Sequence, residues 1–374
     1  MKYLGENKYF SFRDNFCEPL DGEFCNPTVF SEFGMLIAAA GYKRFCIGCL
    51  NDKLRYLIYP LGAGLSAVGC EVCISENTCL PSIRHGIPLL SAECGIYVSG
   101  EDCVKISFFD ENGYPMNNEN INKIINSENI NGKNCCGRIT FTDSLCEFYR
   151  NDLKSIFGSS IKLKASVSCG NSSLRNLWLD FFTGNEEDLV FQVSDDGQRV
   201  NAYSTSIGFI SYERLILAYC IAFGNKEEII YLPKSFHYIA ESEADKHNFK
   251  ISRFNYEDGY PYEAVKQRFL GDPLYMCLKL ISDYERFEKI IESMPGFSSA
   301  VREIAIDTAI NMDDREIVNG KGKIIISKSG KNRISLLAQS YSIETAAELC
   351  CEYDMKIKFS KSCNNLFHSD NEIY

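Results

Sequence analysis

Ser-Ala-Glu-Cys-Gly-Ile-Tyr-Val-Ser-Gly-Glu-Asp-Cys-Val-Lys-Ile-Ser-Phe-Phe-Asp-Glu-Asn-Gly, residues 91–113, decides the fold. Residues 94–98 are an apolar run of strand length, Ser99 closes the run, and 105–109 form a second run. Asp110, Asn112 and Gly113 then supply turn chemistry. A strand with no polar face is buried on both faces, as in a sheet covered by helices on each side. The segment therefore reads as a buried strand that delivers one serine, Ser99, into a loop, followed by a second strand and a turn.

Working outward, apolar residues recur at helical spacing over 28–40 and again over 56–68, where the helix ends near Gly69. Short apolar strands follow each, at 44–48 and 70–74, and a third helix over 81–90 is interrupted by Pro88. Such alternation predicts βαβ units and a mainly parallel sheet. The Asn-rich stretch 117–133 is polar, includes a helical pattern at 121–125, and reads as a link to the next unit. A second βα pattern runs through a strand at 162–167, a turn at Cys169-Gly170-Asn171 and a helix at 174–182. It continues with a strand at 189–193, the turn Ser194-Asp195-Asp196-Gly197-Gln198-Arg199, the segment 200–203 and a helix at 212–223. A third unit has strands at 228–232 and 250–254 and a helix at 273–284. The last has strands at 323–327 and 333–339, the turn Ser329-Gly330-Lys331-Asn332 and a helix at 343–353.

The chain of 374 residues exceeds what one core supports, so several domains are expected. The net charge of −11 and a pI near 5.1 argue against nucleic acid, which needs clustered Lys and Arg. No run approaches the roughly 18 apolar residues of a membrane span, and the first ten residues lack the pattern of a signal peptide. The chain reads as cytoplasmic. Its 18 cysteines sit mostly inside apolar runs, as small hydrophobes. The exception is Cys46-x-x-Cys49 followed by Cys70-x-x-Cys73, a spacing that suits a four-thiolate zinc site and equally suits the ends of two adjacent strands. His85, His237, His247 and His368 are scattered and form no metal pattern.

The 91–113 segment resembles the active-serine loop of the α-D-phosphohexomutases, the superfamily of phosphoglucomutase and phosphomannomutase. That loop reads Gly-Ile-x-Ile-Thr-Ala-Ser-His-Asn-Pro, then Tyr-Asn-Gly-x-Lys and a Phe-x-Asp-x-x-Gly turn. Here the serine, the strands and the turn survive. The positions after the serine read Gly100, Glu101 and Asp102, and the Tyr-Asn-Gly insert is missing. The resemblance covers nearly the whole chain in order. It implies an α/β fold of three consecutive mixed-sheet α/β/α domains, at 1–125, 126–224 and 225–296, plus a smaller C-terminal α+β domain at 297–374.

The resemblance also implies the chemistry. Ser99 takes the place of the serine that carries a phosphoryl group to and from a hexose phosphate, which demands a positioned oxygen nucleophile with charge stabilisation around it. The family's metal loop, Asp-Gly-Asp-x-Asp-Arg, corresponds to 194–199: Ser194 replaces the first Asp, Asp196 and Arg199 are kept, Gln198 replaces the third Asp, and Asp195 stands one place out of register. Ser194, Asp195 and Asp196 are thus the candidate Mg²⁺ ligands, for a site weaker than one with three carboxylates. An acidic β-turn with Gly197 at its left-handed position accounts for the same residues. Arg199, Ser329, Gly330, Lys331 and Arg333 are the candidate phosphate binders, the last four matching the family's phosphate loop in place while its Thr-Glu-Pro core is gone. A plain polar hairpin turn explains that segment too.

Several departures weigh against turnover. The family's His, Asn and Pro positions read Gly100, Glu101 and Asp102, so the His and Asn are lost and Glu101 with Asp102 places negative charge beside the phosphoryl group instead; a carboxylate about 5 Å from a phosphoryl dianion repels it by a kcal/mol or more, a repulsion that a bridging Mg²⁺ reverses. The sugar-reading Gly-Glu-x-Ser-Gly-His loop has no match between 251 and 272; Tyr256-Glu257-Asp258-Gly259-Tyr260 is not equivalent. Phe12-Arg13-Asp14 only faintly echoes the family's N-terminal loop. The expectation is a divergent phosphohexomutase acting on hexose 1- and 6-phosphates, with hexose phosphate or bisphosphate as ligand and with weak or lost activity. The alternative is a catalytically inactive sugar-phosphate-binding or regulatory protein on the same scaffold.

Overall fold

The computed structural model describes residues 10–13, 16–19, 22–100, 104–125, 136–158, 164–183, 189–225, 227–255, 261–305, 314–330 and 333–359. The chain forms two compact units. The first comprises Met1–Gly224, Ile229–Pro233 and Ser252–Glu288, and the second comprises Asn225–Glu228, Lys234–Ile251 and Lys289–Tyr374.

The first unit opens with the strand pair β1 (Phe10–Arg13) and β2 (Phe16–Pro19), then helix α1 (Pro27–Ala38), started by Asn26, whose side chain accepts from the Val29 N–H at 3.1 Å. There follow β3 (Arg44–Cys49), α2 (Arg55–Ala67), β4 (Glu71–Ser75), α3 (Leu80–Leu89), β5 (Cys94–Ser99), β6 (Lys105–Phe109), α4 (Asn118–Ile125), β7 (Ile139–Phe141) and α5 (Leu145–Phe157). These strands make one mixed sheet in the order β1-β2-β6-β5-β3-β4-β7. The β5-β3-β4-β7 part is parallel, and β6, β2 and β1 add antiparallel to one side. All six residues of β5 are buried, as the unbroken apolar run predicts.

Strand parity divides the two faces. Phe45, Ile47, Cys49, Cys94, Ile96 and Val98 pack with α1 and α2 side chains in one core. On the other face α3 lies so close that a β-carbon on Gly48 or Gly95 would meet Ile83 or Ile87 at 2.2 and 2.1 Å. Those two glycines seat the helix directly over β3 and β5, and so fix where its first residues stand. The stretch expected to be a link carries a core element instead: Ile121 and Ile124 of α4, three residues apart on one helical face, are buried in the first core.

A second sheet in this unit has the order β11-β10-β9-β8, built from β8 (Ser166–Ser168), β9 (Leu189–Val193), β10 (Val200–Ser204) and β11 (Gly208–Ile210). Helix α6 (Ser172–Leu179) follows β8 and α7 (Tyr212–Phe223) follows β11, each capped by a side-chain oxygen, from Asn171 and Ser211. Then β12 (Ile229–Pro233) precedes α8 (Ile239–His247), and β12 and β13 (Lys250–Phe254) form a two-stranded sheet. Helices α9 (Tyr262–Lys266), α10 (Pro273–Ile281) and α11 (Tyr284–Ser293) come next.

In the second unit β14 (Ser298–Ala305), β15 (Arg315–Asn319), β16 (Gly322–Gly330) and β17 (Arg333–Ser340) pair antiparallel in the order β14-β17-β16-β15, and α12 (Ile343–Phe359) packs its Ala346, Leu349, Cys350, Tyr353 and Ile357 on one face of that sheet. His237 has a structural part here: it is fully buried, its Nδ1 accepts from the Ile239 N–H at 3.1 Å, and its Nε2 lies 3.1 Å from the Ser340 carbonyl.

Among the described residues no group of three or more His, Cys, Asp or Glu side chains is arranged to hold a metal ion. The cysteine quartet shows why spacing alone misleads. Cys46 and Cys73 are partners across β3 and β4, whereas Cys49 and Cys70 belong to the core on the opposite face. The four thiols do not converge, and burial pushes Cys46 up and Cys49 to about 12, so they stay protonated.

Candidate active site

Ser99 ends β5 and is buried, on the face that also presents Gly95 and Tyr97 and that α3 covers. Its Cα partner in the antiparallel register is Lys105 of β6, so the hydroxyl and the ammonium stem start from the same face of the sheet, about 5 Å apart at their β-carbons. Lys105 is exposed. It was passed over in the sequence, although a Lys closes the family's Tyr-Asn-Gly-x-Lys stretch; the pairing register singles it out. Gly100 follows with φ of 93°, a left-handed conformation that favours glycine. The missing histidine is therefore accompanied by a backbone path that a histidine would adopt only with strain. Glu101 and Asp102 lie outside the described residues.

The 194–199 turn joins β9 to β10. Gly197 donates its N–H to the Ser194 carbonyl at 2.8 Å and has φ of 71°, the left-handed turn position expected of it. The Asp196 carboxylate serves the turn: its Oδ1 accepts from the Ser194 hydroxyl at 2.6 Å and from the Gln198 N–H at 3.0 Å. The Ser194 hydroxyl in turn accepts from the Arg199 N–H at 3.0 Å. Asp195 goes elsewhere. It is exposed, and its Oδ1 would lie only 2.5 Å from a β-carbon on Gly170, in the turn between β8 and α6. The two carboxylates thus have different neighbours, Ser194 and Gln198 offer no charge, and the donor set does not fit a three-carboxylate Mg²⁺ site.

This turn packs at the same edge of the first sheet as Ser99. A β-carbon on Gly197 would lie 3.8 Å from Cβ of Cys79, the residue ahead of α3. Tyr97 reports the same convergence. It is completely buried; burial raises its phenol well above the usual value, and the negative potential of Cys79, Cys49, Asp196 and Cys146 adds to the rise. The Tyr97 hydroxyl has no hydrogen-bond partner among the described residues. Sequence reading had no means to mark it, since an apolar-looking strand position gives no sign of an unsatisfied polar tip.

In the second unit, Ser329 and Gly330 lie within β16, where the register with β17 shifts between Lys328 and Gly330, and Gly330 pairs with Arg333. The Arg333 guanidinium lies 3.6 Å from the Glu303 carboxylate and is exposed. Lys331 lies outside the described residues, and Arg199 of the first unit is exposed.

No protein-family model matches the chain, and no curated protein matches it. Solved structures do. A phosphoglucomutase/phosphomannomutase family protein from Burkholderia thailandensis aligns with a TM-score of 0.68 at 14% identity, over 92% of this chain and 96% of that one. A candidate phosphomannomutase from Thermus thermophilus aligns with a TM-score of 0.67 at 11% identity, over 94% of this chain and 100% of that one. The chain has a phosphohexomutase-like α/β fold along nearly its whole length. At these identities the likeness is one of fold.

Proposed function

We propose that the chain is a divergent phosphohexomutase-fold protein that binds a hexose phosphate or bisphosphate and uses Ser99 as a phosphoryl acceptor, with slow turnover. The observation that carries this is the placing of Ser99 at the end of a fully buried central strand, with Lys105 opposite it and the 194–199 turn at the same sheet edge. In the proposed step, Ser99 Oγ forms a bond to phosphorus of a hexose bisphosphate, the bond from phosphorus to the sugar oxygen breaks, and the serine proton goes to that oxygen. Lys105 supplies positive charge beside the phosphoserine. No step is assigned to Mg²⁺, since Asp196 is engaged within its own turn and Asp195 lies against Gly170. We carry the division at 125, 224 and 296 as part of this proposal; β7, which pairs with β4, lies past the first of these points.

A second reading, a sugar-phosphate-binding protein without turnover, draws support from Gly100 and from the engaged Asp196. Phosphorus NMR of the protein with glucose 1-phosphate or mannose 1-phosphate and a trace of the matching 1,6-bisphosphate separates the two. Slow, Ser99-dependent appearance of the 6-phosphate is expected. Binding without conversion would leave the second reading, and neither binding nor conversion would remove both.

A further inference from the structure

In the second unit the loop ahead of α8 is fastened to the end of β17 by two side chains that bond to backbone. Gln339 is fully buried; its Nε2 donates to the Ser235 carbonyl at 2.8 Å and its Oε1 accepts from the Tyr238 N–H at 3.2 Å. His237 completes the fastening from the loop. It has no exposed surface, its Nε2 lies 3.1 Å from the Ser340 carbonyl, and its Nδ1 lies 3.1 Å from the Ile239 nitrogen. The ring stacks on Tyr238 with centroids 4.6 Å apart and lies against Phe297 at 4.8 Å.

The two backbone partners decide the protonation state. A carbonyl only accepts, so Nε2 carries a hydrogen; an amide N–H only donates, so Nδ1 carries none. The closed arrangement therefore holds a neutral imidazole. A proton on Nδ1 would put two hydrogens between two nitrogens 3.1 Å apart and would leave a cation in a fully buried place. Among the described residues, the titratable and charged groups on the elements packed here are the Tyr238 and Tyr341 phenols, whose rings are 6.4 Å apart, exposed Lys234 and Glu241, buried Glu243, and Lys321, whose carbonyl accepts from the Ser340 hydroxyl. The lysines oppose a second positive charge, and Glu243 is already paired with Lys246 at 2.5 Å and lies 3.7 Å from His247 at the far end of α8.

We propose that His237 is an acid-operated latch: protonation of its Nδ1 releases the loop 234–238 and α8 from the end of β17. The neutral ring fits the closed arrangement, and the imidazolium fits the open one. A free imidazole takes up its proton near pH 6.5, so closure is at full strength above about that value and weakens about tenfold for each pH unit below it. At pH 5 the open form is then about thirtyfold more populated, relative to the closed form, than at pH 8. The Gln339 amide does not titrate and holds Ser235 and Tyr238 alike at both pH values, which leaves His237 as the titrating member of the fastening. Neither Ser99 nor the 194–199 turn takes part, and the latch stands apart from the proposed phosphoryl transfer.

The test is hydrogen exchange of the full chain at pH 8 and pH 5, read by mass spectrometry and corrected for the intrinsic pH dependence of amide exchange. Protection of the peptide spanning 238–247 is expected to fall about thirtyfold, while a peptide from the middle of α12 keeps its protection. His237→Gln, which cannot take up a proton, is expected to protect 238–247 equally at the two pH values, whatever the level. Should that variant fail to fold, ring-nitrogen NMR of the unmutated chain labelled with nitrogen-15 histidine decides: one of the four imidazoles should hold the Nε2–H tautomer and stay neutral at pH 5.5, where a free imidazole is mostly charged. Unchanged protection of 238–247 in the unmutated chain would overturn the proposal, as would the same fall in His237→Gln, an equal fall in α12, or four imidazoles that all take up protons near pH 6.5.

Discussion

Ser99 closes a strand whose six residues are all buried, and its position follows from packing on both faces of the sheet. Asp196 stands in a hairpin turn that depends on its own carboxylate for two hydrogen bonds. One residue is placed by everything around it; the other uses its oxygen to hold itself in place. Changes in neighbouring residues are therefore expected to have different consequences at the two. Ser99 is positioned by the order of its sheet, whereas the 194–199 segment is a turn that supports itself through Ser194 and Asp196.

The largest effect is expected where the comparison rests on the sheet. Ile96→Ala removes a fully buried side chain from the middle of β5 and should cost about 2–5 kcal/mol, read as a lower urea midpoint with unchanged slope. A loss below about 1 kcal/mol would mean that β5 does not anchor Ser99. Next comes Gly197→Ala, which forces a β-carbon into a left-handed turn position and brings it within 3.0 Å of Leu174; about 1–3 kcal/mol should be lost. Asp196→Ala should cost about 1–2 kcal/mol by leaving the Gln198 N–H without its acceptor and the Ser194 hydroxyl with the Arg199 carbonyl alone, and Asp196→Asn, which keeps an acceptor oxygen, should recover most of it. In the same melts, millimolar Mg²⁺ should leave the unmutated protein's midpoint unchanged. A rise that Asp196→Asn abolishes would show that the carboxylate serves a metal after all. The smallest change is in the opposite direction: Tyr97→Phe deletes a buried hydroxyl without a partner and should be neutral or stabilising by up to about 1 kcal/mol. Destabilisation of that size would reveal a partner for the phenol.

Legibility in the sequence followed burial. Strands β3, β4, β5 and β6 and helices α1, α2 and α3 stand where the apolar runs and helical periods put them, because residues buried on a continuous face leave a continuous pattern. The strands that escaped were short or mostly exposed: β7 has three residues, none buried, and β15 has only Ile317 partly covered. Asn and Glu around Ile121 and Ile124 left the helical pattern legible and hid that its apolar face belongs to the core. At the site, residue types were legible and directions were not. Nothing in Ser-Asp-Asp-Gly-Gln-Arg says that Asp195 turns towards Gly170.

The central claim, that the sheet preserves a phosphoryl-accepting serine while its surroundings have changed, is tested most directly by intact-mass spectrometry and peptide mapping of the purified chain before and after incubation with glucose 1,6-bisphosphate. The account predicts one added phosphate, on Ser99, absent from Ser99→Ala. An unphosphorylated Ser99 under all conditions, in a chain that remains folded, would contradict it.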